Sequence, residues 1–378
     1  MEFTDSVEQA DLRSAVRSFA RRHATPEQVR AAMAAPAGYD PKIWERLTTE
    51  LGLAALAVPE GFGGVGAGPA EVAVAVEELG RVLLPSPYLS SAVAALALAR
   101  SAGECPDAAE RYLPGFADGS VIGALALDAE VTVDGGTVTG VARNVVDGAA
   151  AGLLLVRPGD GLVAVAATDA AVEPLETLDQ TRHQAAIRFE GARAMPAGSS
   201  APAVALCRVM LAAECAAAAE HCLEVTVDYL KTRRQFGRPI GSFQALRHRA
   251  ADLAVAVSSA RATARAAVWT AAVNTGASNT GASDAQSVNA AGLAALAPLA
   301  ALHCSRTFFQ VAGEMIQLHG GIGFTWEHEA HLYFKRAKST QLLLGPASAL
   351  RAEIGQAAGL LPADRPVTAT PGRWPAPR

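Results

Sequence analysis

The sequence has 378 residues, of which 51% are hydrophobic, and a formal net charge of −5 at pH 7. This length and apolar content suffice for several segments around a large shared core, which excludes a disordered chain. The acidic balance and the lack of a long run of Lys or Arg exclude a basic face for nucleic acid or an anionic membrane.

Cysteine usage and the amino terminus both indicate a reduced, cytoplasmic protein. The five cysteines are Cys105, Cys207, Cys215, Cys222 and Cys304. They are scattered, with no CxxC pair and no histidine at ligand spacing, so neither a disulfide framework nor a metal site is expected. The first twenty residues are charged throughout, and the longest Ala-rich stretch is interrupted by Pro298. We therefore expect no signal peptide and no membrane span.

Residues 1–115 are predicted to form an all-α domain. Asp5 with Glu8 three residues later resembles a helix capping box, and apolar residues then recur at helical spacing. The segment VPEGFGGVG at 58–66 is rich in glycine and predicts a loop between helices.

Residues 116–198 are predicted to form a small β-domain. VTVDGGTVTG at 131–140 alternates across an Asp-Gly-Gly turn, which predicts a hairpin. GLLLVRPGDGLVAVAA at 152–167 repeats this pattern, and AAIRFEG at 185–191 is a further strand candidate.

Residues 199–362 are predicted to form a C-terminal bundle of long amphipathic helices with Ala-rich seams. NTGASNTGAS at 274–283 is short, polar and Gly-rich, which indicates a loop between two of these helices. The final residues, 363–378, contain too many prolines for a helix and are predicted to form an extended arm.

Three segments resemble the acyl-CoA dehydrogenase family, and the resemblance covers nearly the whole chain. They are WERL…VEELGR at 44–81, KTRRQFGRPIGSFQALRHRAADLA at 231–254 and QLHGGIGFTWEHEAHLYFKRAK at 317–338. The form of the third segment is similar to that of the actinobacterial branch. The resemblance implies an α+β multidomain fold and FAD-dependent α,β-desaturation of an acyl-CoA thioester. In that reaction a carboxylate removes the α-proton and flavin accepts the β-hydride.

The catalytic carboxylate that the resemblance implies is missing from both of its usual positions. Aligned on Gly345, the family's Tyr-Glu pair falls on Leu343 and Leu344. The family's second position, directly before an arginine that aligns with Arg208, is occupied by Cys207. We therefore predict no catalytic residue in this chain.

The predicted β-domain also departs from the family where that family binds the flavin ring. Residues 122–128 lack a Thr-Glu-Pro-Gly-type loop, and residues 141–152 lack the aromatic of the Trp-Ile-Thr-type strand end. Loss of both ring contacts together with both bases indicates a degenerate site.

The residues with which family members bind the FAD of a dimer partner are nevertheless present. By the resemblance, they are Arg233, Gln235, Phe236, Gln244, Gln317, Gly320 and Gly321. Arginine offers a charged fork to a pyrophosphate, and glycines allow backbone N–H groups to approach it closely. We call these seven residues the predicted flavin surface.

Several other residues have both a functional and a structural interpretation. Glu314 and Glu327 could supply a relocated base in an active enzyme. His319, His328 and His331 are spaced in a way that would allow a metal, but no acidic ligand accompanies them, so structural histidines are favoured.

The leading hypothesis is a silent subunit that works with a homologous catalytic subunit in an α2β2 heterotetramer. FAD would be bound at the interface, mainly by the partner, and the substrate would be a steroid side-chain acyl-CoA. One alternative is a self-sufficient homotetrameric dehydrogenase with a relocated base. Another is an FAD-free acyl-CoA-binding or scaffold protein.

Overall fold

The computed structural model describes residues 4–276 and 283–362, with side chains for residues 4–273 and 291–362. Six α-helices come first in this part of the chain, and four of them begin with proline, whose fixed φ suits the first helical position. They are α1 (Val7–His23), α2 (Pro26–Met33), α3 (Pro41–Thr49), α4 (Pro69–Arg81), α5 (Tyr88–Arg100) and α6 (Pro106–Ala117).

The first helix is capped one residue later than its sequence pattern predicts. The amide of Gln9 donates to Ser6 Oγ at 3.2 Å, and the amide of Ser6 donates to Gln9 Oε1 at 3.1 Å. Asp5 instead accepts a hydrogen bond from Arg13 at 2.6 Å. The prediction of an Asp5–Glu8 capping box was wrong, because Ser6 and Gln9 offer the same spacing one residue further on.

The middle of the chain forms a seven-stranded sheet. Its strands are β1 (Gly123–Ala126), β2 (Asp128–Asp134), β3 (Thr137–Val146), β4 (Leu153–Val156), β5 (Gly161–Ala166), β6 (Ala170–Leu175) and β7 (Gln184–Ser199). Their order is β1-β4-β5-β7-β3-β2, and β6 also pairs with β7. The two predicted hairpins are confirmed: β2 pairs with β3, with Val133 opposite Val138, and β4 pairs antiparallel with β5.

The third part of the fold is a bundle of long helices whose small side chains allow close packing. It comprises α7 (Ser200–Thr232), α8 (Gln244–Gly276), α9 (Ser283–His319), α10 (Ala330–Leu343) and α11 (Ala347–Ala357). A short hairpin of β8 (Arg234–Gln235) and β9 (Arg238–Pro239) joins α7 to α8, and a 3-10 turn (Gly320–Phe324) follows α9. The predicted order of helical domain, β-domain and helical bundle is confirmed.

Some sequence predictions concern boundaries or residues beyond this description. Helix α8 continues to Gly276, three residues into the segment predicted as a loop. The rest of that segment up to residue 282, and the Pro-rich arm at 363–378, lie outside the described residues. The predicted domain limits after residues 115 and 198 stay predictions.

Helix α7 is long and apolar enough to cross a membrane by length and composition alone. In the fold, 67% of its most apolar window is buried inside the protein. Its buried side chains belong to the main hydrophobic core, among them Leu206, Val209 and Met210. The length and hydropathy of α7 are therefore those of a central core helix.

Candidate functional site

The two positions at which the family carries its catalytic carboxylate lie in one apolar cluster. Leu344, at the end of α10, packs with Leu211 and Leu350, and Cys207 of α7 packs against the same group. Leu344 is only 8% exposed. Burial raises the pKa of Cys207 to about 11, so its thiol stays protonated at neutral pH. This cluster offers no group that could remove a proton from a substrate carbon.

The carboxylates considered as replacements lie far from this cluster or are already paired. Glu327 precedes α10, whose fourteen residues place it roughly 20 Å from Leu344 at 1.5 Å per residue. Glu314 pairs with Arg249 at 2.6 Å, about four helical turns along α9 from the cluster. Glu353, on α11, accepts two hydrogen bonds from Arg208, the longer at 3.0 Å.

A buried network of charges fills the space between this cluster and the sheet. Arg336 of α10 donates to Glu214 of α7 at 2.8 Å and to Asp179 at 2.9 Å. Arg182, from the connection between β6 and β7, also donates to Glu214, and to Thr340 at 3.0 Å. Burial alone would raise the pKa of Glu214, but the two guanidinium groups outweigh it and lower that pKa. Glu214 is therefore ionised and fully paired.

A cavity of about 30 Å³ beside this network is the space left at the chain's own site. It is lined by Tyr88, Asp147 and Arg182, among others, and the Tyr88 hydroxyl is buried without a hydrogen-bond partner. A space of this size holds about one water molecule, whereas small-molecule pockets measure roughly 300–1,000 Å³. It is too small for an acyl chain or a flavin ring.

Asp147 follows the end of β3, in the segment where the family's sequence contacts the flavin ring. Ser90 Oγ donates to its carboxylate at 2.6 Å. Burial raises the pKa of Asp147 to about 6, although Ser90 and the nearby arginines act in the opposite direction.

The residues of the predicted flavin surface are exposed to solvent, unlike the residues of the buried charge network. All seven are exposed, and Phe236 is 90% exposed. Phe236 also has a φ of +53°, a conformation that is unfavourable for a bulky side chain. A phenyl ring held outward at a conformational cost is typical of an interaction site rather than of a folding requirement.

The two segments of the predicted flavin surface leave the bundle at the same end. Tyr229, in the last turn of α7, stacks on His319 at the end of α9, with ring centroids 4.4 Å apart. The β8–β9 hairpin follows the first of these residues and the Gly320–Phe324 turn follows the second. The structure therefore brings both segments together.

The exposed backbone of the turn after α9 fits a pyrophosphate group. A Cβ added at Gly320 or at Gly321 would meet no atom within 4 Å. In the described part of the chain, Arg233 makes no ion pair, so its guanidinium is available to a phosphate. These residues could hold the dinucleotide part of an FAD whose ring is bound elsewhere.

Two of the three histidines near this turn are held by packing and hydrogen-bonding contacts. His319 is 3% exposed, its Nδ1 lies 2.7 Å from the Met315 carbonyl oxygen, and its ring centroid is 4.4 Å from that of His328. Burial lowers the pKa of both rings, which keeps them neutral. Among the residues that the structure describes, no group of three His, Cys, Asp or Glu side chains is arranged to hold a metal ion.

The buried charge network is the feature that sequence reasoning missed. Glu214 is the only charged residue in the apolar stretch VMLAAECAAAA, and such a residue requires a buried partner. That signal could have predicted a pair but could not have identified Arg182 and Arg336 as the partners.

A helical domain, a β-sheet domain and a C-terminal helical bundle in this order define a class of flavin-dependent oxidoreductase fold. Comparison with known families identifies which one. The model of the acyl-CoA dehydrogenase N-terminal domain matches residues 6–120, and that of the C-terminal domain matches residues 202–359. The chain belongs to the acyl-CoA dehydrogenase family, and FAD is the cofactor that this membership implies.

Similar proteins confirm the predicted actinobacterial branch. Acyl-CoA dehydrogenase IpdE2 of Mycobacterium tuberculosis is 42% identical over 350 residues, covering 92% of this chain and 96% of the relative. A variant of the Tcur3481–Tcur3483 steroid ACAD is 30% identical, with a TM-score of 0.80 over 93% of this chain and 98% of that one. The ChsE4–ChsE5 complex of Mycobacterium tuberculosis is 27% identical, with a TM-score of 0.82 over 96% of this chain and 100% of that one.

Proposed function

We propose that this chain is a non-catalytic subunit of a heteromeric, FAD-dependent acyl-CoA dehydrogenase. A homologous partner supplies the catalytic carboxylate and the pocket for the flavin ring. This chain completes the partner's FAD site from across the interface, through the predicted flavin surface.

The closed state of the chain's own site is the observation that carries this proposal. Leu344 and Cys207 belong to an apolar cluster where a carboxylate is needed, and paired buried charges lie beside it. Only about 30 Å³ is left. Room for a substrate there would require separating buried, paired charges, which is costly.

The exposed residues give the chain a role in a neighbouring site. Arg233 is suited to neutralise a pyrophosphate, and Gly320 and Gly321 are suited to approach it through their backbone. Phe236 can stack on the flat nucleotide part of the same group. FAD bound there would supply the hydride acceptor for the desaturation.

The assembly and substrate follow from the relatives and from the division of roles. Each catalytic subunit paired with one silent subunit gives one working site, and two such pairs give an α2β2 heterotetramer. One similar structure is named as a steroid ACAD, and another is named as a complex of two different subunits. We therefore propose a CoA thioester of a steroid side chain as the substrate and the cytoplasm as the location.

Two other functions predict different behaviour of the purified chain. A self-sufficient homotetramer with a relocated base would be yellow and active alone, but the distances of Glu314 and Glu327 from Leu344 disfavour it. An FAD-free acyl-CoA-binding or scaffold protein would stay colourless with any partner, and the cavity of about 30 Å³ beside the buried network disfavours acyl binding at that place.

A visible absorption spectrum tests the proposal. The chain is purified alone and again after co-expression with the homologous acyl-CoA dehydrogenase encoded beside it. We expect no flavin band from the lone chain and about one flavin for every two chains from the pair. A flavin band in the lone chain, or a stable pair without flavin, would contradict the proposal.

A further inference from the structure

The turn between α9 and α10 presents two large aromatic side chains to solvent. Phe324 is 77% exposed and Trp326 is 71% exposed. With Phe236 of the β8–β9 hairpin they place three exposed aromatic rings at one end of the bundle, since Tyr229 and His319 join the two segments there. Single exposed apolar residues are ordinary, but several together mark an interaction surface.

The backbone around Trp326 is fixed by several contacts. Thr325 N donates to the Ile322 carbonyl oxygen at 3.0 Å. Arg30 of α2 donates to the carbonyl oxygen of His328 at 3.4 Å, which ties the turn to the first helical domain. The backbone N–H of Ala330 donates to His328 Nδ1 at 3.0 Å. These contacts tie the turn to α2 and to the start of α10.

The indole ring itself is also supported. The ammonium group of Lys335 lies 4.6 Å from its centroid, in a cation–π contact. The ring of His331 meets it edge-on, with centroids 4.8 Å apart. A rigid, exposed tryptophan loses little conformational entropy on association, which is the property of a binding hot spot.

The charges around the aromatic residues indicate what covers them. Arg233, Arg234 and Arg238 are all exposed on the neighbouring hairpin segment. Glu327 is exposed in the turn itself and Asp228 pairs with Lys231, so positive charge is in excess at this end. A second copy of this same surface would be repelled. The complementary occupant is a surface that presents an anionic group, such as a subunit with bound dinucleotide.

We propose that Trp326, with Phe324 beside it, is the anchor through which this chain docks on the catalytic subunit. The inference rests on the proposed function and adds to it, because neither aromatic residue belongs to the predicted flavin surface. Trp326 contributes to association, while the residues of the predicted flavin surface contribute to retention of FAD.

The dissociation constant of the pair tests this inference. Wild-type and variant chains are titrated with the homologous catalytic subunit at saturating FAD. We expect Trp326→Ala to weaken association at least about 30-fold and Trp326→Phe to weaken it several-fold less. Trp269→Ala is the matched control, because Trp269 is 44% exposed but lies on α8, far from this end. We expect it to change association less than about threefold.

Two further measurements distinguish an error in the docking role from an error in the proposed function. The thermal unfolding midpoint of the lone Trp326→Ala chain should equal that of the wild type, and flavin per pair should be normal at protein concentrations far above the dissociation constant. Equal affinity of Trp326→Ala and wild type, or an equal loss with Trp269→Ala, overturns the docking role alone. A wild-type chain that forms no flavin-containing pair overturns the proposed function itself.

Discussion

At the scale of single residues, burial decides the chemistry of this chain more than residue identity does. Cys207 would be a candidate nucleophile if its thiolate formed, but burial raises its pKa to about 11. Asp147 is an acid whose neutral form is favoured, because burial raises its pKa to about 6. Both residues are therefore neutral over part of the range in which their ordinary chemistry would make them charged.

The carboxyl group of Asp147 gives the lone chain a measurable pH dependence. Its folded pKa of about 6 exceeds the ordinary aspartate value of 3.8, so between about pH 4 and pH 6 the folded chain retains a proton that the unfolded chain has released. The contribution of Asp147 to stability should therefore fall as the pH rises through this window. We expect Asp147→Asn, which can still accept from Ser90, to remove this slope and to be more stable at pH 7 by roughly 2–3 kcal/mol.

Urea unfolding at pH values from 4 to 8 measures this effect. Asp11→Asn, which changes an exposed aspartate on α1, is the control and should leave the slope unchanged. An unchanged slope in Asp147→Asn would show that another group accounts for the pH dependence.

At the scale of elements, the turn after α9 contains three glycines, of which two are required by the fold and one is not. Gly320 has a φ of +62°, which disfavours other residues. A Cβ at Gly323 would lie 2.5 Å from the Ile316 carbonyl oxygen, so that position requires glycine for packing. Gly321 has neither constraint: its φ is ordinary and a Cβ would meet nothing within 4 Å. Folding alone does not require a glycine there.

Gly321→Ala therefore separates folding from cofactor binding. We expect a change in unfolding free energy within about 0.5 kcal/mol, because the added methyl group projects into open space. We expect at least a several-fold weaker retention of FAD by the pair, because the methyl group occupies the space that a pyrophosphate needs. Flavin content after gel filtration and the unfolding midpoint are the two measurements.

Gly61→Ala is the matched control for that variant. Gly61 lies in an exposed 3-10 turn of the first domain, and a Cβ there also meets nothing within 4 Å. It should change neither stability nor flavin content. Full flavin content in the Gly321→Ala pair would remove Gly321 from the predicted flavin surface.

At the scale of the whole molecule, the buried network joins the β-domain to the helical bundle. Asp179 and Arg182 come from the β6–β7 connection, Glu214 from α7 and Arg336 from α10. All four side chains are at most 6% exposed. Because water cannot replace a lost partner there, the network holds the domains in one arrangement.

Loss of the central carboxylate should be costly for this arrangement. Glu214→Gln leaves two buried guanidinium groups without a full counter-charge, and we expect a loss of about 3–5 kcal/mol in stability. Glu50→Gln, which removes the partner of Arg46 in an exposed pair, should cost about 0–1 kcal/mol. Thermal and urea unfolding compare the two, and a similar effect of both would contradict a joining role for the network.

The sequence by itself determined the family, the order of the three structural parts and the two hairpins, and it predicts the loss of both carboxylates. These depend on local periodicity, turn residues and the identity of residues at motif positions, all of which can be observed along the chain. The predicted position of the first helix cap was wrong by one residue. Asp5–Glu8 and Ser6–Gln9 both have the spacing of a capping box, and only the local geometry distinguishes them.

The tertiary structure decided how the chain's own site is closed. Arg336 and Asp179 are 157 residues apart in sequence, and no local pattern relates them. The same is true of Cys207 and Leu344, which meet only because α7 and the end of α10 pack against each other. Which residues share a buried space depends on the packing of distant helices, and this is why the closed site and the aromatic turn required the three-dimensional structure.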